Sequence, residues 1–422
     1  MEEEQIYFLI SFFTIADRYP PQTMNSINKD SIIRTRRSNM TIGIDKISFQ
    51  VPNYYLDMTD LANARETDPN KFHIGLGQDQ MAINPETQDI VTLGASAAAK
   101  ILTDEDKKDI DMVIVGTESS TDFSKSAAVI IHNLLDIQPF ARSFEIKHAC
   151  YGGTAALQQA HDYVSLHPDR KVLVIAADIA KYGLNSGGEP TQGCGAVAML
   201  ITKEPHILAF NNDSVFYSED VYDFWRPAGH DYPLVDGHLS NQIYIDSFTR
   251  IWEQNKKINQ TSSEDYAALT FHLPYTKMGR KALRAIFPEM PEEEQQRLEA
   301  RYDEAILYSR QVGNLYTGSL YLGLLSLLDN SQLVAGDRVG LFSYGSGAVS
   351  EFFSMTLMED YKKYLTSENN HTLLAQRKRL TIAEYEKMFN EKLPTDGGSH
   401  SFSDPTDFAI NKIDGDIRYY NK

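Results

Sequence analysis

The chain has 422 residues, 42% of them hydrophobic and 23% charged, which makes it globular and long enough for one large fold or two to three ordinary domains. Its net charge of -18 excludes nucleic acid as a general partner. Only two cysteines occur, Cys150 and Cys194, which argues against a disulfide framework and for a reducing, cytoplasmic setting.

Residues 1–39 read differently from the rest. Ile6 to Ala16 is apolar but too short to span a bilayer. The acidic run Glu2-Glu3-Glu4 before it has the wrong charge for a signal or transit peptide. We expect a flexible N-terminal extension over 1–39, no membrane segment, and a fold that starts at Met40.

From there strand and helix patterns alternate. Ile42 to Val51 predicts a strand, Asp57 to Ala64 a short helix and Ile90 to Leu102 a helix rich in small residues. Asp111 to Gly116 is a continuous apolar run ending at glycine, the mark of a strand buried on both faces. A helix over Ser124 to Leu135 follows. Then Ser143 to His148 alternates like a strand and runs into the small, helical Thr154 to Ala160. Val172 to Ala177 and Gly195 to Ile201 are further buried strands. The alternation predicts a mostly parallel sheet covered on both faces.

The chain divides into a first half over 40–205, an aromatic-rich insertion over 206–260, a second half over 261–355 and a helical tail over 356–422. The insertion is a cap over a site or a layer packed on the sheet. In the tail, Thr381-Ile-Ala-Glu384 has the capping-box form and opens a helix to Phe389; residues 395–406 read as a loop. The second half repeats the first. Tyr266 to His272 matches the run into Glu118, the stretch from Asn314 matches Cys150 and its small-residue helix, and Gly345-Ser-Gly-Ala-Val349 matches Gly193-Cys-Gly-Ala-Val197. Three matches in one order indicate an internal duplication. Related halves would bring Glu118, His272, Cys150 and Asn314 to paired strand ends around one cleft.

Cys150 sits on the join between strand and helix. Backbone N–H groups at a helix start favour negative charge, so its thiol is expected to ionise below the ~8.5 of a free cysteine, with Gly152 and Gly153 leaving room for substrate. A buried apolar filler is the other reading of such a cysteine. Glu118 ends a buried strand, where a carboxylate has a raised pKa and serves as a general base; a helix-start acid is the alternative. His272 also ends a strand, as a catalytic or a structural histidine. Lys277, Arg280 and Lys281 are spaced by three and four residues, so a helix after Pro274 sets them on one face. Such a face holds phosphates or is simply solvated. Asn314 and Ser346 lie beside glycines, and Tyr182 and Thr191 flank Gly187-Gly188; all four orient an acyl oxygen or satisfy turns. Cys194 reads as core. No metal-ligand spacing appears, and Gly75-Leu-Gly77 lacks the preceding strand and third glycine of a dinucleotide fingerprint.

These motifs, in order, are Ile74-Gly-Leu-Gly-Gln78, Gly116-Thr-Glu118-Ser, Lys147-His-Ala-Cys150-Tyr-Gly-Gly-Thr, Pro190-Thr-Gln-Gly-Cys-Gly-Ala-Val, Val235-Asp-Gly-His-Leu-Ser240, the Phe271-His272 run to Lys277, Asn314-Leu-Tyr-Thr and Phe342-Ser-Tyr-Gly-Ser346-Gly. Together they resemble the HMG-CoA synthase family, in its short bacterial type, within the thiolase superfamily. The resemblance runs over about residues 40 to 420. It implies an α/β, thiolase-like, duplicated five-layered α-β-α-β-α fold and a homodimer. It implies condensation of acetyl-CoA with acetoacetyl-CoA and water to 3-hydroxy-3-methylglutaryl-CoA in the mevalonate route to isoprenoids, with no metal or redox cofactor. By motif, Cys150 would be the acylated nucleophile, Glu118 the acid/base, and His272 the group that positions and polarises acetoacetyl-CoA. Asn314 and Ser346 would bind the acyl part, with Asp68, Tyr182, Thr191 and Ser240 nearby, and Lys277 and Lys281 would hold CoA. Two features depart from the family: the first 39 residues, and Cys194 where a small residue such as alanine is expected. A ketoacyl synthase would not need Glu118, a thiolase would carry a second cysteine where Ser346 stands, and a silent scaffold would not need all of Glu118, Cys150 and His272.

Overall fold

Ten strands build the main sheet of the protein: β1 Ile42–Gln50, β2 Ile110–Gly116, β3 Arg142–Ile146, β4 Lys171–Ala180, β5 Gly193–Lys203, β6 Leu208–Phe210, β7 Val215–Ser218, β8 Ala268–Phe271, β9 Arg338–Gly345 and β10 Val349–Leu357. Four helices matter for the site: α1 Gly152–Leu166, α2 Gly237–Asn259, α3 Thr276–Ala285 and α4 Ser319–Asn330. The computed structural model describes residues 40–422, so the extension expected over 1–39 lies outside the described residues. Thr41–Lys422 form one unit.

Strand order is β8-β9-β10-β6-β1-β5-β4-β2-β3, with β7 also on β10. The two halves repeat the same pairing. In the first, β2 is parallel to β4, β4 antiparallel to β5 and β5 antiparallel to β1. In the second, β8 is parallel to β9, β9 antiparallel to β10 and β10 antiparallel to β6. The halves meet where β1 pairs with β6.

Alternating side chains feed separate cores. Val172, Val174 and Ala176 of β4 meet Ala156 and Leu157 of α1 and Leu320 and Leu324 of α4 in a central core. Leu173, Ile175 and Ala177 point the other way, onto the helices Ile90–Ala99 and Ala127–Leu134. In the second half, Val339 and Leu341 of β9 join the central core, while Phe342 and Tyr344 pack on Phe248 and Trp252 of α2 and Met278 of α3. Outer helices, the first half of the sheet, α1 with α4, the second half of the sheet, and α2 with α3 thus stack as five layers.

The expectation of a mostly parallel sheet is corrected. Three strand pairs of this sheet are parallel and six are antiparallel. A continuous apolar run reports burial on both faces, not direction. The link at residues 346–348, between the adjacent strands β9 and β10, is too short for the crossover that parallel neighbours need. The insertion boundary at 206 is also corrected, because β6 and β7 belong to the sheet and α2 covers its outer face.

In the tail, Thr381 caps Ile382–Asn390 with Glu384 reciprocating, but 356–422 is not purely helical. Ser399–Ser401, Ile410–Asp414 and Ile417–Tyr420 form a small antiparallel sheet, part of it inside the expected 395–406 loop. Gly415 and Asp416 have φ of 57° and 65°, positive at both central residues as a tight two-residue hairpin turn requires. No helix among the described residues is long and apolar enough to cross a membrane.

Candidate active site

The nucleophile candidate sits on a sharp turn. β3 ends at Ile146, α1 begins at Gly152, and Cys150 lies between them. Ala149 has φ of 40°, a conformation that costs a non-glycine residue energy and that gathers at functional turns. The turn is held by close backbone approach. A Cβ on Gly116 would stand 2.5 Å from the Gly153 nitrogen, and one on Gly153 would stand 2.8 Å from the Thr317 carbonyl oxygen. These glycines therefore serve packing between β2, α1 and the second half, which replaces the expectation that Gly152 and Gly153 make room for substrate. Gly116→Ala is expected to lower stability by about 1–3 kcal/mol, read as a fall in melting temperature, with slower acylation of Cys150; an unchanged melt would contradict the packing.

Cys150 Sγ donates to Glu118 Oε1 at 3.2 Å. The cysteine is 9% exposed, walled by Ala180, Tyr316, Tyr182 and Phe224. Burial first, and then the Glu118 charge, push its thiol well above the usual range. This corrects the expected easily ionised thiolate: a helix start two residues away does not outweigh burial beside a carboxylate. The proton instead has a local acceptor.

Glu118 follows β2, and burial and then the nearby Asp178 push its carboxyl up to about 8, against the lowering effects of the Cys150 bond and Arg226. Asp178 is fully buried at the end of β4. It accepts from Thr117 Oγ1 at 3.0 Å, Glu118 N at 2.8 Å, Ser119 Oγ at 2.8 Å, Thr317 N at 3.0 Å and Thr317 Oγ1 at 2.5 Å. Burial raises it to about 6. One carboxylate thus ties the Glu118 turn to the second half and sets a like charge beside Glu118.

Cys150 opens into a cavity of about 490 Å³ whose lining includes Tyr182, Thr191, Ser240, His272, Asn314 and Ser346. His272 follows β8, its backbone N–H donating to Phe342 O at 2.8 Å. It is 3% exposed, and its Nδ1 has no hydrogen-bond partner among the described residues. Burial lowers its pKa to about 3, so the imidazole is neutral at working pH. Asn314 Nδ2 donates to the Tyr182 hydroxyl at 3.1 Å, and its Oδ1 accepts from Tyr316 N at 2.8 Å and Ser319 Oγ at 2.9 Å. Its oxygen therefore holds the turn, while the amide faces the cavity. Ser240 Oγ donates to the buried Asp223 at 3.1 Å, and Thr191 Oγ1 to Gly188 O at 2.8 Å. Asp68 does not join this group; it is exposed and accepts from Asn70 N at 3.0 Å at a separate turn.

The basic face lies on α3 as its spacing predicts. Its arginines are already neutralised: Arg280 bonds Asp303, and Arg284 bonds Glu299. Lys277 Nζ donates to Ile74 O at 3.2 Å and Lys281 Nζ to the Tyr275 hydroxyl at 2.8 Å. Neither lysine pairs with a carboxylate among the described residues, which leaves their charge for an incoming anion. Lys277 lines a second cavity of about 430 Å³, and Tyr275 and Met278 of the same segment line the first.

Asp178, Arg226, Phe224 and Tyr316 did not emerge from the sequence. Asp178 carried the signal that found Glu118, a carboxylate closing a buried strand, one residue past Ala177. Cys194 is core as expected, 1% exposed with Sγ donating to Ala82 O at 3.4 Å. Among the described residues no group of three His, Cys, Asp or Glu could hold a metal ion.

Comparison with known proteins places the chain in a family. The family profile "Hydroxymethylglutaryl-coenzyme A synthase N terminal" matches residues 38–206, and its C-terminal counterpart matches 210–296 and 284–412. A hydroxymethylglutaryl-CoA synthase of Enterococcus faecalis is 62% identical over 382 residues, 90% of this chain and 100% of that protein. A crystal structure of an HMG-CoA synthase complexed with CoA superposes with a TM-score of 0.88 at 48% identity, covering 91% of this chain and 100% of that one. MvaS in complex with 3-hydroxy-3-methylglutaryl coenzyme A gives 0.81 at 36%, covering 91% and 99%. The fold is thiolase-like, and the chain belongs to the hydroxymethylglutaryl-CoA synthase family.

Proposed function

We propose that the protein condenses acetyl-CoA with acetoacetyl-CoA and water to 3-hydroxy-3-methylglutaryl-CoA and CoA, an early step of the mevalonate route, through an acetyl-S-Cys150 intermediate. The observation that carries this reading is the 3.2 Å contact from Cys150 Sγ to Glu118 Oε1 at the head of a cavity that also holds His272.

Cys150 attacks the acetyl-CoA carbonyl as its proton passes to Glu118, and the proton leaves with the departing CoA thiol. This splits one hard step into two. Glu118, a carboxylate again, removes a methyl proton from the acetyl thioester. The carbanion adds to the ketone of acetoacetyl-CoA, and Glu118 returns the proton to the new alkoxide. Neutral His272 offers a hydrogen bond to that thioester or ketone, with Asn314, Tyr182, Ser240, Thr191 and Ser346 around the acyl group. Water then frees the product from Cys150. Lys277 and Lys281 hold the CoA phosphates. Asp68 lies outside the cavity lining and has no part in the scheme. Each proton has a carrier among these groups, so the scheme calls for no metal or redox cofactor. Two free cysteines support a cytoplasmic protein, and the family resemblance supports a homodimer, which light scattering would test.

The test is incubation with labelled acetyl-CoA followed by mass spectrometry of the Cys150 peptide. We expect an acetyl group there that acetoacetyl-CoA discharges with release of a new six-carbon acyl-CoA. An unlabelled Cys150 in folded protein would overturn the reading.

A further inference from the structure

The run Tyr222-Asp-Phe-Trp-Arg226 plays no part in the scheme above, yet it lies against the site. Phe224–Trp225 pairs antiparallel with Leu234–Val235, and the residues from Arg226 to Tyr232 are exposed. Phe224, Pro233 and Val235 line the main cavity, and the Phe224 ring stands 6.2 Å from Tyr182 and 6.1 Å from Tyr316. This hairpin therefore forms a wall over Cys150.

A pair of two-residue strands has too few hydrogen bonds to hold itself in place. The buried Asp223 before it accepts from Ser240 Oγ, the Tyr344 hydroxyl and Gly347 N; beyond that residue the hairpin's fastenings are few. Asp236 N donates to Asp223 O at 3.0 Å at the base, Tyr232 stacks on Phe389 with centroids 6.2 Å apart, and Lys392 reaches Asp231 at 3.3 Å. The fourth is different in kind. Arg226 Nη2 donates to the backbone carbonyl of Glu118 at 2.6 Å, and the guanidinium has no carboxylate partner among the described residues.

We propose that Arg226 is a positioning residue for the condensation, a clasp that fastens the 224–235 hairpin to Glu118 and sets a positive charge beside the acid/base. The proposal rests on the reading of Glu118 as that acid/base. The titratable and charged groups around Glu118 are Cys150, Asp178, Tyr182, Tyr316 and Arg226, and Arg226 alone is cationic. Clasped, its charge favours the carboxylate that removes the methyl proton. Lifted away with the hairpin, it leaves Glu118 facing only burial and Asp178. A wall that shuts the cavity and a cation that readies the base are thereby the same piece of chain.

The experiment is the pH dependence of kcat and kcat/KM for condensation in Arg226→Gln and Arg226→Lys, with acetylation of Cys150 as a check on the fold and Glu118→Gln in parallel. Arg226→Gln is expected to move the ascending limb to higher pH by about half a unit, a loss of about threefold below the limb that closes above it. Arg226→Lys is expected to keep the parent limb. A limb that stays put while rate falls equally at every pH, or no change at all, overturns the proposal. If Arg226→Gln fails to acetylate, Arg226→Lys decides, and a shifted limb in that variant overturns it. Normal condensation by Glu118→Gln would sink the assignment of Glu118 instead, whatever Arg226 does.

Discussion

Glu118→Gln is expected to separate the two half-reactions. Glutamine keeps the shape and can still meet the Cys150 sulfur, but it takes no proton. Condensation should fall by about 10²–10⁴-fold, the usual worth of a positioned base. Acetylation of Cys150 should survive, because the Glu118 charge is one of the causes that push the thiol up, and its removal offsets part of the lost proton acceptor. Stopped-flow condensation and mass spectrometry of the acetyl peptide read the two steps apart; equal losses in both would contradict the roles. The same variant carries a pH signature in stability. Glu118 and Asp178 are both raised on folding, so the native state holds their protons longer than the unfolded chain does. That stabilisation is complete below the unfolded carboxylate range and is lost as pH rises through about 6 and then about 8. The melting temperature of Glu118→Gln should therefore gain on the parent as pH rises across that window.

Cys150→Ser should leave no measurable turnover, a loss on the order of 10⁴-fold or more, since in the proposed scheme both covalent steps depend on this nucleophile. A serine hydroxyl is far harder to deprotonate than a thiol and a poorer nucleophile toward a thioester, and Glu118 is set against a sulfur rather than an alcohol. The matching control is Cys194→Ser. That thiol donates only to a backbone carbonyl in the core, so the variant should still label at Cys150 and turn over near the parent rate. Label on Cys194 in the parent protein would overturn the assignment.

Sequence alone determined a good deal. Continuous apolar runs located β2, β4 and β5, because a strand covered on both faces has no polar side to show. The capping box at Thr381 marked a helix start, because its two hydrogen bonds are local. The three repeated motifs disclosed the duplication, and strand-end positions marked Cys150, Glu118 and His272 as candidates that the fold then brings to one cavity. Tertiary structure decided what depends on neighbours distant in the chain. Strand direction followed from link lengths and partners rather than from apolarity, so a parallel reading became a mixed sheet. The ionisation of Cys150 turned from easy to difficult, because desolvation by Tyr182, Tyr316 and Phe224 and the charge of Glu118 outweigh a helix start. Asp178 and Arg226 gained meaning only when folding set one inside the Glu118 turn and the other against its carbonyl. Local hydrogen bonds and burial patterns are written in adjacent residues; electrostatics belong to whatever the fold brings within a few ångströms.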